Sequence, residues 1–245
     1  MEHLVTTIAP ITDKKIMTVI FDFDNTLYDT EKRKSFFWEI ASVHGYSLLE
    51  AYEMYNEARH SCEKITISLE KYLEVLQSHL KRDQKEYNEA AVNDIRIAME
   101  KGDNLLPGAR QFVEWCQHQK LACYLLSLGV KEWQEIKFRQ ADLGMFFTSD
   151  RVVYTEDARQ GKKGSLQNLF GSMFTGEGAT IINDKPDETR DLLTVFPKLQ
   201  ALVRREKRDK RYQKKDFDGL VNDFPGRVVW AESLFIIQSL LAQQI

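Results

Sequence analysis

The apolar positions of the chain follow two rhythms, and the change from one to the other divides the sequence. At 16–21, 121–126, 151–154, 179–182, 199–203 and 227–230 they form short, nearly unbroken runs rich in β-branched, leucine and aromatic residues. Runs of that length predict strands buried on both faces. Between them, apolar residues return every three or four positions, the spacing of an amphipathic helix. Helices are predicted at 109–119, with Phe112, Val113 and Cys116 inward, and at 131–143, 165–170, 186–195 and 232–243. Pro186 suits the first position of its helix, and the Gly-Lys-Lys-Gly sequence at 161–164 reads as a turn. Strands alternating with helices predict an α/β fold, a mostly parallel sheet with helices on both faces.

Residues 31–100 interrupt that alternation. They hold one glycine, Gly45, and no proline, and their apolar residues keep helical spacing throughout. Four helices are predicted. The first, 30–44, carries Phe37, Ile40, Ala41 and His44 on one face, with Gly45 to end it. Ser47 and Glu50 have the spacing of a capping box for the second, which runs to 60. Ser68 caps the third, which carries Leu69, Tyr72, Leu73, Leu76 and Leu80. The fourth, 83–99, turns Tyr87, Ala91, Ile95 and Ala98 inward. Such a block is a small bundle of its own, so the expected organisation is a core domain of 1–30 and 101–245 with a helical domain of 31–100. The aromatic residues Phe36, Phe37, Trp38, Tyr46, Tyr52, Tyr55 and Tyr72 read as bundle core rather than ligand contacts. Leu105-Leu106-Pro107-Gly108 marks the return to the main domain.

Composition narrows the function. With 245 residues the chain can bury one α/β core and a smaller unit. A formal charge of -3 suggests neither a nucleic-acid binder nor an acidic tail protein. One stretch runs against that average: eight of the twelve residues at 204–215 are basic, with Tyr212 among them. It could grip nucleic acid through phosphate contacts, or be a solvated excursion between two strands, offset by Glu206 and Asp209. Cys62, Cys116 and Cys123 show no paired spacing, which favours buried thiols in a reducing compartment. Residues 1–15 lack the apolar centre of a leader, and no apolar run reaches membrane-spanning length. A cytoplasmic protein is expected.

The chemistry collects at strand ends. Asp22 and Asp24 close the first strand two positions apart, so their side chains leave on the same side. Two ionised carboxylates repel, and a shared cation relieves the repulsion; the simpler alternative is a strand ending in solvated acids. Ser127 ends the strand at 121–126 and Asp184 ends the strand at 179–182, with Lys162 and Lys163 in the turn between. Ligands of open parallel sheets bind at the carboxyl ends of strands, which gathers all these groups if the strands are neighbours. Two carboxylates can hold a hard cation such as Mg2+, while a hydroxyl and an ammonium can hold phosphoryl oxygens. A carboxylate beside positive charge can serve as nucleophile. Singly, Ser127 is a polar strand terminus, the lysines are solvated and Asp184 is a helix cap. Together they point to a site.

Ile20-Phe21-Asp22-Phe23-Asp24-Asn25-Thr26-Leu27 resembles the first motif of the haloacid dehalogenase superfamily, hhDxDxTL. Tyr124-Leu125-Leu126-Ser127 is similar to its second motif, Lys163 (or Lys162) stands where the third carries its lysine, and Ile181-Ile182-Asn183-Asp184 resembles the fourth. The motifs come in family order, and the resemblance spans about 16–245. It implies a Rossmann-like core with a helical cap inserted after the first strand, and a Mg2+-dependent phosphatase acting on a small phosphomonoester. By the same resemblance, Asp22 would be the nucleophile that forms an aspartyl-phosphate, and Asp24 the general acid and base. Thr26 would steady the loop and the position of Asp24 beside the phosphate, and Ser127 and Lys163 would bind the phosphoryl oxygens. Mg2+ would be held by Asp22, the Asp24 main-chain carbonyl, Asp184 and water. Asp187 and Glu188 would position those waters or pair with Lys163.

Three departures are visible. Asn183 replaces the usual Gly or Asp, the third motif is a double lysine without a following proline, and Asp187 and Glu188 compete for the second acid of the fourth motif. Related activities differ at definable positions. A dehalogenase of this family lacks an acid at i+2, which Asp24 supplies, whereas a phosphomutase would keep both acids and differ in its cap.

Overall fold

A computed structural model describes residues 15–60, 67–102, 104–155 and 161–245. Each predicted apolar run forms a parallel strand: β1 (Thr18–Phe21), β2 (Ala122–Leu128), β3 (Val152–Thr155), β4 (Ala179–Asn183), β5 (Gln200–Arg204) and β6 (Val228–Ala231). They lie in one sheet in the order β3-β2-β1-β4-β5-β6. Phe21 is level with Leu125 of β2 on one side and with Ile182 of β4 on the other. The sheet thus winds outward in both directions from β1 and β4, leaving a crevice between their carboxyl ends where the winding reverses.

Alternation along the central strand builds two cores. Val19 and Phe21 face one way and pack with Phe112 of α5 (Ala109–His118) and Ile237 and Leu241 of α10 (Leu234–Ala242). Phe21 meets Phe112 edge-on, ring centroids 5.3 Å apart. Ile20 faces the other way, among Leu166 of α7 (Gly161–Phe170), Leu192 of α8 (Pro186–Val195) and Phe217 of α9 (Lys214–Asp223). Each such fully buried side chain contributes about 1.5–3 kcal/mol, enough to hold the strand ends firmly in place. The remaining core helix, α6 (Lys131–Gln140), follows β2. Cys116 and Cys123 are buried free thiols; Cys62 lies outside the described residues.

The helical block comprises α1 (Thr30–Ser42), α2 (Leu48–His60), α3 (Leu69–Arg82) and α4 (Glu89–Lys101). Phe36, Phe37, Ile40, Met54, Tyr72, Leu76 and Met99 form its own buried core. The caps follow the sequence: Ser47 and Glu50 exchange hydrogen bonds, and Ser68 Oγ accepts from the Lys71 N–H at 3.2 Å. The block leaves and re-enters the sheet region at one point. Tyr28 and Leu105 form an antiparallel bridge, and the Asp29 N–H donates to Asn104 O at 2.7 Å.

The structure differs from expectation in four places. The fourth helix begins at Glu89 rather than 83, because Gln84 adopts φ +53 and Asn88 caps the helix through its side chain. Its buried face is consequently Val92 and Met99; Ala98 is exposed. The turn expected at 161–164 is the first turn of α7, entered through Gly161 at φ +52. α9 falls where no element was predicted, its Phe217 and Leu220 set among charged residues that hide the period. Of the seven cap aromatics read as core, Trp38, Tyr52 and Tyr55 are only partly covered, with Tyr52 53 % exposed.

Candidate active site

Asp22 sits just past β1, buried, its N–H bonded to Ile182 O of the neighbouring strand at 2.8 Å. Both carboxylate oxygens are engaged. Oδ1 accepts from Lys162 Nζ at 2.5 Å and Oδ2 from Thr26 Oγ1 at 2.9 Å. Thr26 can reach back because the chain reverses at once: Asn25 takes φ +58, a left-handed conformation that asparagine tolerates better than most residues. The reversal is pinned from outside, with Arg204 Nη1 at the end of β5 donating to Asn25 O at 2.6 Å.

Lys162 is the hub of a buried cluster. Besides Asp22 it meets the Glu188 carboxylate and donates to Asn183 Oδ1 at 3.1 Å. Asn183 in turn donates to Thr189 Oγ1 at 3.0 Å and to Glu188 Oε1 at 3.2 Å. Burial works against the Lys162 ammonium, but Asp22 and Glu188 outweigh it and raise its pKa. Burial likewise opposes the Glu188 carboxylate, yet Lys162 and Lys185 bring its pKa down to about 2.

Asp24 belongs to a different neighbourhood. Its carboxylate is ion-paired with Lys137 and accepts from Thr30 Oγ1 at 2.6 Å and Gln134 Nε2 at 2.9 Å. Burial raises a carboxyl pKa, but the Lys137 ammonium and these donors hold Asp24 well below the usual carboxylate range. Burial in turn lowers the Lys137 pKa. Gln134 and Lys137 are one turn apart on α6, so one helical face presents both to Asp24.

Two strand-end groups remain unpartnered. Ser127 Oγ on β2 and Asp184 Oδ1 just after β4 are buried and make no hydrogen bond among the described residues. Burial raises the pKa of Asp184 well above its ordinary value. Because β2 and β4 flank β1, these two oxygens bracket the Asp22 position.

The site residues inferred from sequence therefore divide. Asp22, Lys162, Asn183 and Glu188 form one cluster, with Ser127 and Asp184 at the neighbouring strand ends. Lys163, the lysine preferred on sequence, is exposed; consecutive residues of a helix point about 100° apart, and only Lys162 faces the sheet. Thr26 holds Asp22 rather than Asp24, whose threonine partner is Thr30. Asp187 turns away and accepts from Tyr212 Oη at 2.7 Å, leaving Glu188 as the acid of the cluster. Missed on sequence were Lys137, Gln134, Thr30 and Lys185. For Gln134 and Lys137 the signal was weak, two polar residues at i, i+3 in a helix whose apolar residues are Trp133, Ile136 and Phe138.

The basic stretch is largely neutralised. Arg204 pairs with Glu206, Arg208 with Glu206 and Asp29, Arg211 with Asp209, Arg205 and Lys207 with Glu232, and Lys214 with Asp218. Of its eight cations, Lys210 and Lys215 alone carry no ion pair among the described residues. Its charges brace the loop after β1 instead of forming a bare patch.

Beside these groups lies a cavity of about 920 Å³, whose lining includes Asp24 and Asp184 but not the more deeply buried Asp22, Ser127 or Lys162. Asp24, Asp184, Lys137 and Lys185 line it from the core side, and Trp38, Tyr52 and Tyr55 from α1 and α2. No helix among the described residues is long and apolar enough to cross a membrane.

The chain resembles solved structures over most of its length. The HAD-hydrolase candidate YfnB of Bacillus subtilis, a structure bound to magnesium, is 17% identical, with a TM-score of 0.59 over 93% of this chain and 99% of that one. A β-phosphoglucomutase candidate from Thermotoga maritima is 14% identical, with a TM-score of 0.61 over 94% and 100%. A HAD family hydrolase of Deinococcus radiodurans, with bound phosphate and sodium, is 13% identical, with a TM-score of 0.55 over 95% and 99%. Comparison with curated protein sequences finds no match. The model of the haloacid dehalogenase-like hydrolases matches residues 16–166, a span that holds the Asp22–Asp24 turn, the helical block, the Ser127 strand and Lys162. The chain belongs to the haloacid dehalogenase-like hydrolase family.

Proposed function

We propose that this hydrolase is a Mg2+-dependent phosphatase that cleaves a small phosphomonoester through an aspartyl-phosphate on Asp22. The observation that carries the reading is the pair of buried, unpartnered oxygens on either side of Asp22. Other buried oxygens lack a partner too, Thr180 Oγ1 and Gln200 Oε1 among them. Ser127 Oγ and Asp184 Oδ1 are set apart by standing at the carboxyl ends of the two strands that flank Asp22, where ligands of such sheets bind. A phosphoryl oxygen suits the first and a cation the second.

The donor set fits magnesium. No group of three or more His, Cys, Asp or Glu side chains among the described residues is arranged to hold a metal. The Asp22 and Asp184 carboxylates, the Asp24 main-chain carbonyl and water would hold the ion, the mixed shell that Mg2+ favours. A cation at Asp184 Oδ1 also offsets the burial that otherwise favours its neutral form. When bound, Mg2+ would supply positive charge to the phosphoryl oxygens and reduce the repulsion between them and the attacking carboxylate.

The protein's own groups do the rest. Thr26 and Lys162 hold the Asp22 carboxylate in one orientation, aimed from the strand end. Lys162 offsets negative charge as phosphate and carboxylate approach, and Ser127 Oγ donates to a phosphoryl oxygen. Lys137, Gln134 and Thr30 fix Asp24 on the core side of the cavity as a carboxylate, the form that takes a proton from the attacking water. To protonate the leaving oxygen it first takes up a proton against the Lys137 pairing. Glu188 and Asn183 keep Lys162 in place.

Purified protein should release phosphate from p-nitrophenyl phosphate with Mg2+, stop on chelation, and lose the activity in Asp22→Asn. An inert wild type across a broad panel of phosphate esters, with metal present, overturns the reading.

A further inference from the structure

The cavity wall opposite the carboxylates is not built for a small sugar phosphate. Three ring systems from two helices meet there: Trp38 packs edge-on to Tyr55, centroids 5.3 Å apart, and lies 6.1 Å from Tyr52. Leu48 and Leu49 extend the same lining, each 68% exposed, as is Tyr52 at 53%. Trp38 and Tyr55 also pack against the bundle core, Tyr55 with its ring 5.6 Å from Phe37, whereas Tyr52, Leu48 and Leu49 stand outside that core. Large apolar side chains left open beside a catalytic cleft are better placed to cover a ligand than to stabilise the bundle. A polyol gains little from such a surface, whereas a flat ring stacks on it.

Charge and size point the same way. Seven cationic side chains line the cavity. Lys34, Lys137, Lys185, Arg208 and Arg211 are ion-paired, whereas Arg59 and Lys210 carry no ion pair among the described residues and face a phosphate dianion without a competing carboxylate. At about 920 Å³ the space is near the upper end for small-molecule pockets and extends well beyond what the phosphoryl group occupies.

Resting on the phosphatase reading above, we propose that the substrate is a phosphomonoester whose leaving group carries an aromatic heterocycle, with nucleoside 5′-monophosphates as the class that fits. The phosphate lies over Asp22 and Ser127, and the base stacks on the Trp38–Tyr52–Tyr55 surface. Hydrolysis breaks the bond between phosphorus and the 5′ oxygen, which leaves as the alcohol with one proton. Water then attacks the aspartyl-phosphate, releasing inorganic phosphate and regenerating Asp22.

The test compares adenosine 5′-monophosphate with ribose 5-phosphate, which has the same phosphate and sugar but no base, and with p-nitrophenyl phosphate, a small ring. The nucleotide should exceed ribose 5-phosphate in kcat/KM by about tenfold or more, within what stacking one base on an aromatic side chain supplies. Tyr52→Ala should shrink that ratio toward one, as should Trp38→Leu, while Tyr87→Ala, a cap aromatic outside the cavity lining, should leave it in place. A ratio near one in the wild type overturns the inference and leaves the phosphatase reading standing. Against p-nitrophenyl phosphate, whose nitrophenolate is the better leaving group, the comparison is of binding to Mg2+-loaded Asp22→Asn, and tighter binding of p-nitrophenyl phosphate than of the nucleotide overturns the nucleotide assignment. A second measurement does not need turnover: Mg2+-loaded Asp22→Asn should bind the nucleotide about tenfold more tightly than ribose 5-phosphate and quench tryptophan fluorescence. Equal binding overturns the inference even if no ester is hydrolysed, and tighter nucleotide binding supports it even then.

Discussion

The floor of the cavity, made by strand ends, and its wall, made by α1 and α2, hold their side chains in different ways. On the floor the two acids of the first turn have fixed partners, Asp22 with Lys162 and Thr26, Asp24 with Lys137, Gln134 and Thr30, while Asp184 keeps an unpartnered oxygen. Each is buried, so losing one partner leaves an uncompensated charge at low dielectric. The wall's aromatic part, Trp38, Tyr52 and Tyr55, is half-open and held by ring contacts and by packing of Trp38 and Tyr55 on the bundle core. Tyr52, outside that core, can change at little structural cost.

Mutations can break that contrast, and the largest effect belongs to the floor. Asp22→Asn should lower phosphate release by on the order of 10⁴-fold or more, as expected when a covalent nucleophile is lost, with an unchanged far-UV circular dichroism spectrum. Next comes the lysine pair. Lys162→Met should cost on the order of 10²–10³-fold in kcat, comparable to removing one preorganised charge-stabilising donor, while Lys163→Met leaves kcat within about twofold. Equal losses would disprove the assignment to Lys162. Lys137→Met should lower kcat by about 10–100-fold with little change in KM, because Asp24 loses its orientation rather than its contact with substrate; a pure KM effect would contradict this. The wall variants of Tyr52 and Trp38 follow, at about tenfold in substrate preference.

The smallest effect is on stability. Glu206 is buried; burial would raise its pKa, but hydrogen bonds from Arg208 and Arg204 bring it to about 2, against an ordinary 4.5. Its folded-state pKa is depressed, so its contribution is present above about pH 4.5 and fades as pH falls toward 2. Glu206→Gln should therefore cost about 1–3 kcal/mol at pH 7 by urea unfolding, allowing for the half-exposed Arg208. The gap to wild type should narrow at pH 3, and a gap independent of pH would show that the pair is not the cause.

The contrast between floor and wall is also the contrast between what the sequence disclosed and what it did not. Strands, their order along the chain and the residues at their ends were legible because a doubly buried strand must be apolar throughout and stops where polarity begins. Asp22, Ser127 and Asp184 are such stops. The lysine register was illegible, since Lys162 and Lys163 differ only in which face of α7 they occupy, and the first turn of that helix looked like a turn between two glycines. Lys137 and Gln134 were hidden for a related reason: a polar residue on a polar helix carries no mark of burial until the strand it covers is known. Aromatic residues in the helical block posed the converse problem. Core and ligand surface favour the same side chains, so Phe37 and Tyr72, which are buried, could not be told from Trp38 and Tyr52, which line the cavity.

The bridge between Tyr28 and Leu105 has a consequence for how such proteins diversify. Residues 29–104 depart and return within about one strand spacing, so to the folding sheet the entire helical block is a loop whose ends are already tied. The entropy of closing a loop grows only logarithmically with its length, which makes blocks of very different size nearly equivalent at this seam. Exchange of one block for another leaves the strand ends where they were. Contacts also cross the seam beside that bridge, Thr30 Oγ1 to Asp24 and Arg33 Nη1 to Gln140 of α6, and an exchanged block has to supply their equivalents.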